Sequence, residues 1–423
     1  MLITPKLRYF LTIILILTLS QVLNAQFNNQ SYFEYLEKQF HKESIATNRY
    51  LIDEFENYLE IFPNRAHEDD ALWMLSLLQE QYKLDNAQLI SLLKIVFLHP
   101  NSDFTPNARF EIQKLLTENQ SINLNIKKDK LLNAIDKKRS AKSYQDTYFD
   151  FLSFLYEIDV KELHSFLLDE IKTYFRVFSD NPVNGDIISF FAGNTFEQDN
   201  KIANAIACYR KIIALFPESS YRWKAQYQIG YLLYSRLDST SSAMDNFLEV
   251  INSFPMQEEA VNAQFYLAEI YDKKLNNIEE AIQNYRLLIE SFPDNPFRLT
   301  ALTRVAELCR NSGRFEEAVT SYMQIFEEYP DTDTAPSALE QIISIYYNHL
   351  HKPARAAATL KLFGSYYKEH PKADEYFFQA AAIYANELKM PKEAREICVF
   401  IINNYPNGRF AEPARELLKK NGN

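Results

Sequence analysis

The sequence predicts an all-α fold, a superhelical solenoid of antiparallel helix pairs stacked one on the next. Two observations carry that expectation. The first is a recurring pair, an aromatic residue or histidine directly before proline. It stands at Phe62-Pro63, His99-Pro100, Phe216-Pro217, Phe254-Pro255, Phe292-Pro293, Tyr329-Pro330, His370-Pro371 and Tyr405-Pro406. From Pro217 onward the steps are 38, 38, 37, 41 and 35 residues, and Pro63 to Pro100 is 37. Self-similarity at such a period is the sequence mark of a solenoid. The second is composition: 423 residues contain only 7 Gly, against 27 Tyr and 31 Phe. With few positions free to take positive φ, glycine-rich phosphate loops and glycine-punctuated sheets are disfavoured.

Each unit reads as two helices in about 37 residues. Twelve residues before the proline stands an alanine, at Ala205, Ala243, Ala281, Ala318 and Ala394, and four residues later an aromatic, at Tyr209, Phe247, Tyr285 and Tyr322. Spacings of four and eight place these on one helical face with apolar pairs such as Ile212-Ile213 and Leu287-Leu288. The alanine admits a neighbouring helix and the aromatic fills the space beside it. The proline then ends the helix, because it lacks an N–H and disfavours helical geometry in the residue before it.

The other helix follows the proline. In "SFPDNPFRLTALTRVAELC", Asn295 is expected to cap it and Pro296 to take its first position. An alanine eight residues after the proline recurs at Ala71, Ala108, Ala225, Ala263, Ala301, Ala338 and Ala414, and Gln379 breaks this rule. A small residue and then an aromatic or apolar one follow, as in Gly230 and Leu233, Ala268 and Tyr271, Ala306 and Cys309, Ala381 and Tyr384. One such unit cannot bury its apolar face alone, so stacking must do it.

This grammar resembles the tetratricopeptide repeat, most closely at Ala306, Cys309, Ala318, Tyr322 and Pro330. The longer units resemble the variant of bacterial envelope proteins such as the outer-membrane assembly lipoprotein BamD and the Tol-Pal accessory protein YbgF. The resemblance implies a right-handed superhelix of about ten helix pairs. It is clear over 200–420, weaker over 28–110, and faint over 110–200, where Asp180-Asn181-Pro182 marks a unit end. The expected organisation is a leader at 1–25, degenerate pairs at 26–110, and degenerate helical repeats with a hinge near 137–143 at 111–199. A repeat array with a capping helix follows at 200–423.

Residues 1–25 read as a secretory signal peptide: Lys6 and Arg8, then the apolar run 11–19, then Ala25 as the residue before the cut. The run is about half the ~20 residues that a spanning helix needs. Gln26 follows, not Cys, so the lipid-attachment signal of BamD is not expected here. Cleavage would move the net charge from −11 to −13, because the leader carries two basic residues and no acidic one. That balance disfavours nucleic acid as a partner. One stretch opposes it: residues 127–142 hold seven basic residues and two Asp, either a solvated helix face or a patch for an acidic partner or membrane surface. Cys208, Cys309 and Cys398 are far apart and read as small core residues.

No His-Glu-x-x-His, Cys-x-x-Cys or Gly-x-Ser-x-Gly arrangement occurs, so neither cofactor, metal nor catalytic residue is expected. His349 and His351 sit at a helix end, and Glu279-Glu280 and Glu316-Glu317 suit first helical turns. The one unusual surface is a stripe of Tyr227, Tyr231 and Tyr234, off the face that Ala225, Ile229, Gly230 and Leu233 claim. By the resemblance, this stripe lines the concave groove, with Phe265, Glu269 and Asp272, then Thr303, Glu307 and Arg310, then Tyr347 and Phe378 at matching positions. The other reading is that neighbouring helices cover the rings. The expected function is a non-enzymatic, exported, periplasmic or secreted scaffold that holds a protein or peptide partner in cell-envelope assembly or maintenance. Glycan capture of the SusD-like kind ranks below it, since the chain has two Trp and no lipidation Cys. The repeat occupies the sequence nearly to Asn423, which favours a scaffold over a support for a catalytic domain.

Overall fold

The computed structural model describes residues 29–42, 48–64, 66–118, 128–137, 139 and 142–420. The expected leader lies outside them, as do residues 138, 140 and 141 of the expected hinge. The regular structure among the described residues is helical, without a strand, and 21 α-helices follow one another along the chain. Contacts divide the chain into two compact units, Met1–Ala225 and Gln226–Asn423.

The first unit holds α1 (Asn29–Phe40), α2 (Asn48–Ile61), α3 (Glu68–Gln81), α4 (Asp85–Leu98), α5 (Thr105–Glu118) and α6 (Lys128–Asp136). It continues with α7 (Tyr144–Ile158), α8 (His164–Val177), α9 (Gly185–Gln198) and α10 (Ile202–Leu215). The division falls within α11 (Arg222–Ser235). The second unit continues with α12 (Thr240–Ser253), α13 (Glu258–Glu269), α14 (Ile278–Ser291), α15 (Arg298–Asn311) and α16 (Phe315–Glu328). It ends with α17 (Thr334–Ser344), α18 (Pro353–Tyr366), α19 (Ala373–Asn386), α20 (Pro391–Asn404) and α21 (Ala411–Lys420). Within each unit, helices pack mainly on their chain neighbours.

The small-and-large grammar is what the core is made of. Ala205, Ala243, Ala281, Ala318 and Ala394 are buried, as are Tyr209, Phe247, Tyr285 and Tyr322. So are Ala71, Ala108, Ala225, Ala263, Ala301, Ala338 and Ala414. The slot aromatic closes each helix by one last backbone bond, for example Phe216 N to Ile212 O (3.0 Å) and Tyr405 N to Ile401 O (2.8 Å). The second helices of successive pairs begin at residues 202, 240, 278, 315, 353 and 391, steps of 38, 38, 37, 38 and 38. That period is more even than the proline steps.

The difference has a local cause and corrects the sequence reading. His370 does not end a helix. Helix α18 stops at Tyr366, and Tyr367 is the capping residue, with its N–H on Phe363 O (2.9 Å). Tyr367 also donates its hydroxyl to Pro330 O (2.8 Å), while His370 lies in the following turn, its N–H on Tyr367 O (3.0 Å). Tyr329, Tyr367 and Tyr405 are 38 residues apart, so the 41 and 35 steps reflect a proline displaced within its turn. In this register Tyr376, not Gln379, occupies the place of the alanine eight residues after the proline. Phe178 shows the same displacement before Pro182, since its N–H caps α8 on Tyr174 O (2.9 Å). The cap expected from Asn295 also moves. Helix α15 begins at Arg298, and Asn295 instead braces the turn, accepting from Phe297 N (2.8 Å) and donating to Phe292 O (2.6 Å).

Helix α4 is the interior of the first unit. Its segment "LISLLKIVFL" is apolar round nearly its whole circumference, broken by Ser91 and by Lys94, which pairs with Glu170 (2.9 Å), and α3, α5 and α7 surround it. A helix apolar all round is a buried one. The faint 111–199 region contains a full pair, α7 and α8, and the first helix of another, α9. There Gly193 provides the small position, since a Cβ on it would stand 2.4 Å from the Tyr209 ring.

Candidate partner-binding groove

The residues expected to line a groove sit on the first helices of successive pairs in the second unit. Most of them tie one helix to the next. Tyr227 and Tyr231 stack at 6.2 Å between ring centroids, and Tyr227, Tyr231 and Tyr234 converge on Tyr266 of α13 at 6.5, 5.3 and 5.8 Å. All three are half-buried. Tyr266, missed in the sequence, is the hub: it also stacks on Phe247 at 5.9 Å. Phe265 is buried in the core, stacked on Phe297 at 4.2 Å. Glu269 pairs with Lys273 along its own helix, and Arg310 reaches Gln341 of α17. Phe378 stacks on Phe410 at 5.4 Å.

The tyrosine cluster therefore stabilises the joint between α11 and α13. Changing Tyr227, Tyr231 and Tyr234 together to Ala is expected to lower stability by about 1 kcal/mol per half-buried ring, so about 3 in all. Because solenoid stability sums over neighbouring pairs, the melt should show an early partial transition. An unchanged melt would mean the rings contribute nothing to the joint.

Two first helices carry an extra feature. Helices α13 and α17 each end in one π-turn, Ile270–Lys274 and Ile345–His349. Leu275 N reaches back to Ile270 O (3.0 Å) and Leu350 N to Ile345 O (2.9 Å), five residues each. Such turns insert one residue and re-aim the side chains around it. At the first, Asp272 turns toward α15 and meets Arg304 through two hydrogen bonds of 2.9 and 3.0 Å. Its carboxylate is almost wholly covered, and Tyr285 adds its hydroxyl at 3.3 Å. This clasp closes the space between α13 and α15.

At the second π-turn the clasp is missing. Tyr347 stands at the third place of its turn, as Asp272 does, and Gln379 stands 32 residues after it, as Arg304 does after Asp272. Gln379 bonds instead to Glu375 of its own helix (3.1 Å). Tyr347 donates to Glu387 (2.6 Å). The result is a cleft of 510 Å³ between α17 and α19. Its floor is Ile343, Leu360, Ala382 and Ile383, and its rim includes Glu340, Asn348, Asn386 and Glu387. Glu340 accepts from Tyr376 (2.6 Å) and Lys372 (2.8 Å). Burial pushes its carboxyl up, but these two donors outweigh that and hold it below the usual carboxylate range. The lining thus keeps two carboxylates and contains no basic side chain.

Of the expected residues, only Tyr347 lines this cleft. In the sequence Gln379 stood out because the displaced Pro371 shifted the alanine count onto it, and the 41-residue step marks the same displacement. Among the described residues, no three His, Cys, Asp or Glu side chains gather to hold a metal. Cys309 and Cys398 are buried and Cys208 half-buried, and burial pushes each thiol up, Cys398 to about 11. No described helix is long and apolar enough to cross a membrane.

Comparison with known proteins gives the repeat its name. Residues 262–295 match one tetratricopeptide repeat model and residues 299–332 match another. The second span contains Ala306, Cys309, Ala318, Tyr322 and Pro330. No curated protein matches the chain. Among solved structures, the chain is similar to a tetratricopeptide repeat protein from Parabacteroides merdae, at 17% identity over 65% of this chain and 99% of that one, TM-score 0.36. It is also similar to MamA, at 21% identity over 40% and 91%, TM-score 0.31. A third is YrrB, described as a tetratricopeptide repeat protein with an unusual peptide-binding site, at 16% identity over 58% and 99%, TM-score 0.30. The matched families are repeat scaffolds typical of protein–protein interaction, and no enzymatic family is indicated.

Proposed function

We propose that this chain is an exported, non-enzymatic scaffold that holds an extended peptide of its partner in the cleft between α17 and α19, in cell-envelope assembly or maintenance. The observation that carries the reading is the missing clasp. Where Asp272 and Arg304 seal one inter-helix space, Tyr347 and Gln379 leave the corresponding one open, with an apolar floor and a polar rim. A floor of Ile343, Leu360, Ala382 and Ile383 suits an apolar side chain. The Asn348 and Asn386 amides suit peptide backbone groups, and the Glu387 carboxylate suits a lysine or arginine, Glu340 being already paired with Lys372. Tyr347 and Tyr376 offer flat rings with hydrogen-bonding tips, the kind of side chain that anchors interfaces. The envelope setting rests on the basic start, apolar run and Ala25 of the leader and on the resemblance to BamD and YbgF.

The test is a peptide-display selection on the intact chain, followed by binding to Y347A/E387Q. Basic-apolar sequences should be selected and should lose tenfold or more on the variant, the scale of a hot-spot aromatic. Selected peptides that bind both forms equally would refute the cleft. Export has its own readout. Mass spectrometry of the chain expressed in a bacterial host should give Gln26 as the first residue, and an intact Met1 would contradict it.

A further inference from the structure

The basic stretch at 127–142 finds no use in that reading, yet it builds a second cavity. This space, 550 Å³, lies between the end of α4, helix α6 and helix α7. Lys130, Lys137, Arg139 and Lys142 line it, facing two carboxylates, Asp150 and Glu157. Each carboxylate is already taken: Lys142 Nζ lies 2.6 Å from Asp150, and Lys130 Nζ lies 3.5 Å from Glu157. Two cations remain in a chain whose net charge is −11. Lys137 and Arg139 form no ion pair or hydrogen bond with a carboxylate among the described residues.

Arg139 is held in place rather than waving in solvent. Its guanidinium lies over the Phe97 ring, 3.7 Å from the centroid, and Nη2 donates to Ala134 O (2.9 Å). It also has a like-charged neighbour. Burial and the Arg109 guanidinium push Arg139 toward losing its charge, while the Asp150 carboxylate, shared with Lys142, opposes them. Arg109 Nε is itself buried without an acceptor, and so is the hydroxyl of Ser153, a residue of the cavity wall. Buried polar groups without partners are rare and costly. Two guanidiniums close together in a half-buried place add repulsion. An anion with several oxygen acceptors in the cavity eases the repulsion on Arg139 and can accept from Ser153; Arg109 does not line the cavity, and its Nε stays unbonded.

We propose that this cavity binds a phosphate group, taken by Arg139 and Lys137 with Ser153 as a hydroxyl donor, beside the Phe97 and Phe154 rings. The pinned guanidinium supplies a preorganised fork for oxyanion oxygens, and Lys137 a mobile point charge. The volume exceeds what a bare phosphate needs, so the phosphate arrives on a larger body, a soluble phosphate ester or a lipid headgroup. The site is independent of the α17–α19 cleft and of the peptide reading.

The test uses the full chain without its leader. Inorganic phosphate is titrated by calorimetry at low ionic strength, and phosphatidylglycerol vesicles are offered in a sedimentation assay. Phosphate should bind saturably, and K137Q/R139Q should weaken it tenfold or more, with S153A weakening it several-fold. Without phosphate, K137Q should melt as the wild type does, because Lys137 is exposed and forms no ion pair among the described residues, so its loss of affinity cannot be a folding defect. Vesicles that bind the wild type, fail on K137Q/R139Q and are displaced by phosphate identify a headgroup as the source. Phosphate binding without vesicle binding identifies a soluble ester. No saturable phosphate binding, or equal binding by the wild type and K137Q/R139Q, overturns the proposal.

Discussion

Replacing Tyr209 with alanine is expected to cost about 3–5 kcal/mol, the usual scale for emptying a core aromatic site. The ring is fully buried, and its hydroxyl donates to Asn194 Oδ1 (2.5 Å), so the change removes both packing and a bond that joins α9 to α10. The complementary change should also be large. Gly193→Val places its Cβ against the Tyr209 ring, where even an alanine carbon would stand only 2.4 Å away. Overpacking of this kind costs about 1–3 kcal/mol, occasionally more. The two changes should not add. Valine can use the space that Tyr209 leaves, so the double variant G193V/Y209A should lie well above the sum of the singles. Chemical denaturation of all four forms measures this coupling, and strict additivity would show that Gly193 and Tyr209 are not the small and large partners of one joint.

A comparable loss is expected for Glu68→Ala, about 3–5 kcal/mol at neutral pH, the cost of leaving partners of a buried charge unpaired. The Glu68 carboxylate is 2% exposed. It accepts from Asn64 N (2.8 Å) and from the Tyr144 hydroxyl (2.8 Å). His99 Nε2 lies 3.3 Å away, at ion-pair distance without hydrogen-bond alignment. The group thus ties α3 to α4 and α7. Burial pushes its carboxyl up, but His99, Lys94 and Tyr144 together outweigh that and hold it below the ordinary 4.5. The sign for pH follows. A carboxyl lowered in the folded state binds its proton less readily there than in the unfolded chain. Its stabilisation is full above pH 4.5 and fades as pH falls through the lower folded value. The stability gap between wild type and Glu68→Gln should therefore be widest near pH 7 and shrink below pH 4.5. A gap that widens in acid would reverse the assignment.

The fold was largely legible, and the reason is periodic. Ala281 and Tyr285, or Ala318 and Tyr322, repeat because every joint needs one small and one large partner, and a helix face records that at fixed spacing. Residues that serve only a turn record less. Proline can sit one residue or four after the last helical cap, as Pro330 and Pro371 do, so the proline steps blurred a period that the helix starts keep. The same freedom hid Tyr367 behind His370. Helix α4 was marked only by His99-Pro100 at its end, since a run buried on nearly all sides shows no clear stripe.

The candidate site was less legible than the core. Position on a helix showed that Tyr227 and Tyr347 share a face, but not what stands across from them. The first meets Tyr266 across the joint, while the second donates to Glu387 and, with Gln379 turned to its own helix, borders an open cleft. That distinction depends on pairs 32 to 39 residues apart and on a π-turn whose extra residue no spacing rule announces. The sequence marked the place only indirectly, through the displaced Pro371 that brought Gln379 into the alanine count.

The most direct measurement of the central claim is photocrosslinking with a peptide selected on the intact chain. A photoreactive phenylalanine placed at Ala382, on the cleft floor between α17 and α19, is compared with one at Val399, exposed on α20. A scaffold that holds its partner in this cleft predicts a covalent adduct from position 382, abolished by excess unlabelled peptide, and none from position 399. Crosslinking from 399 with none from 382 would contradict it.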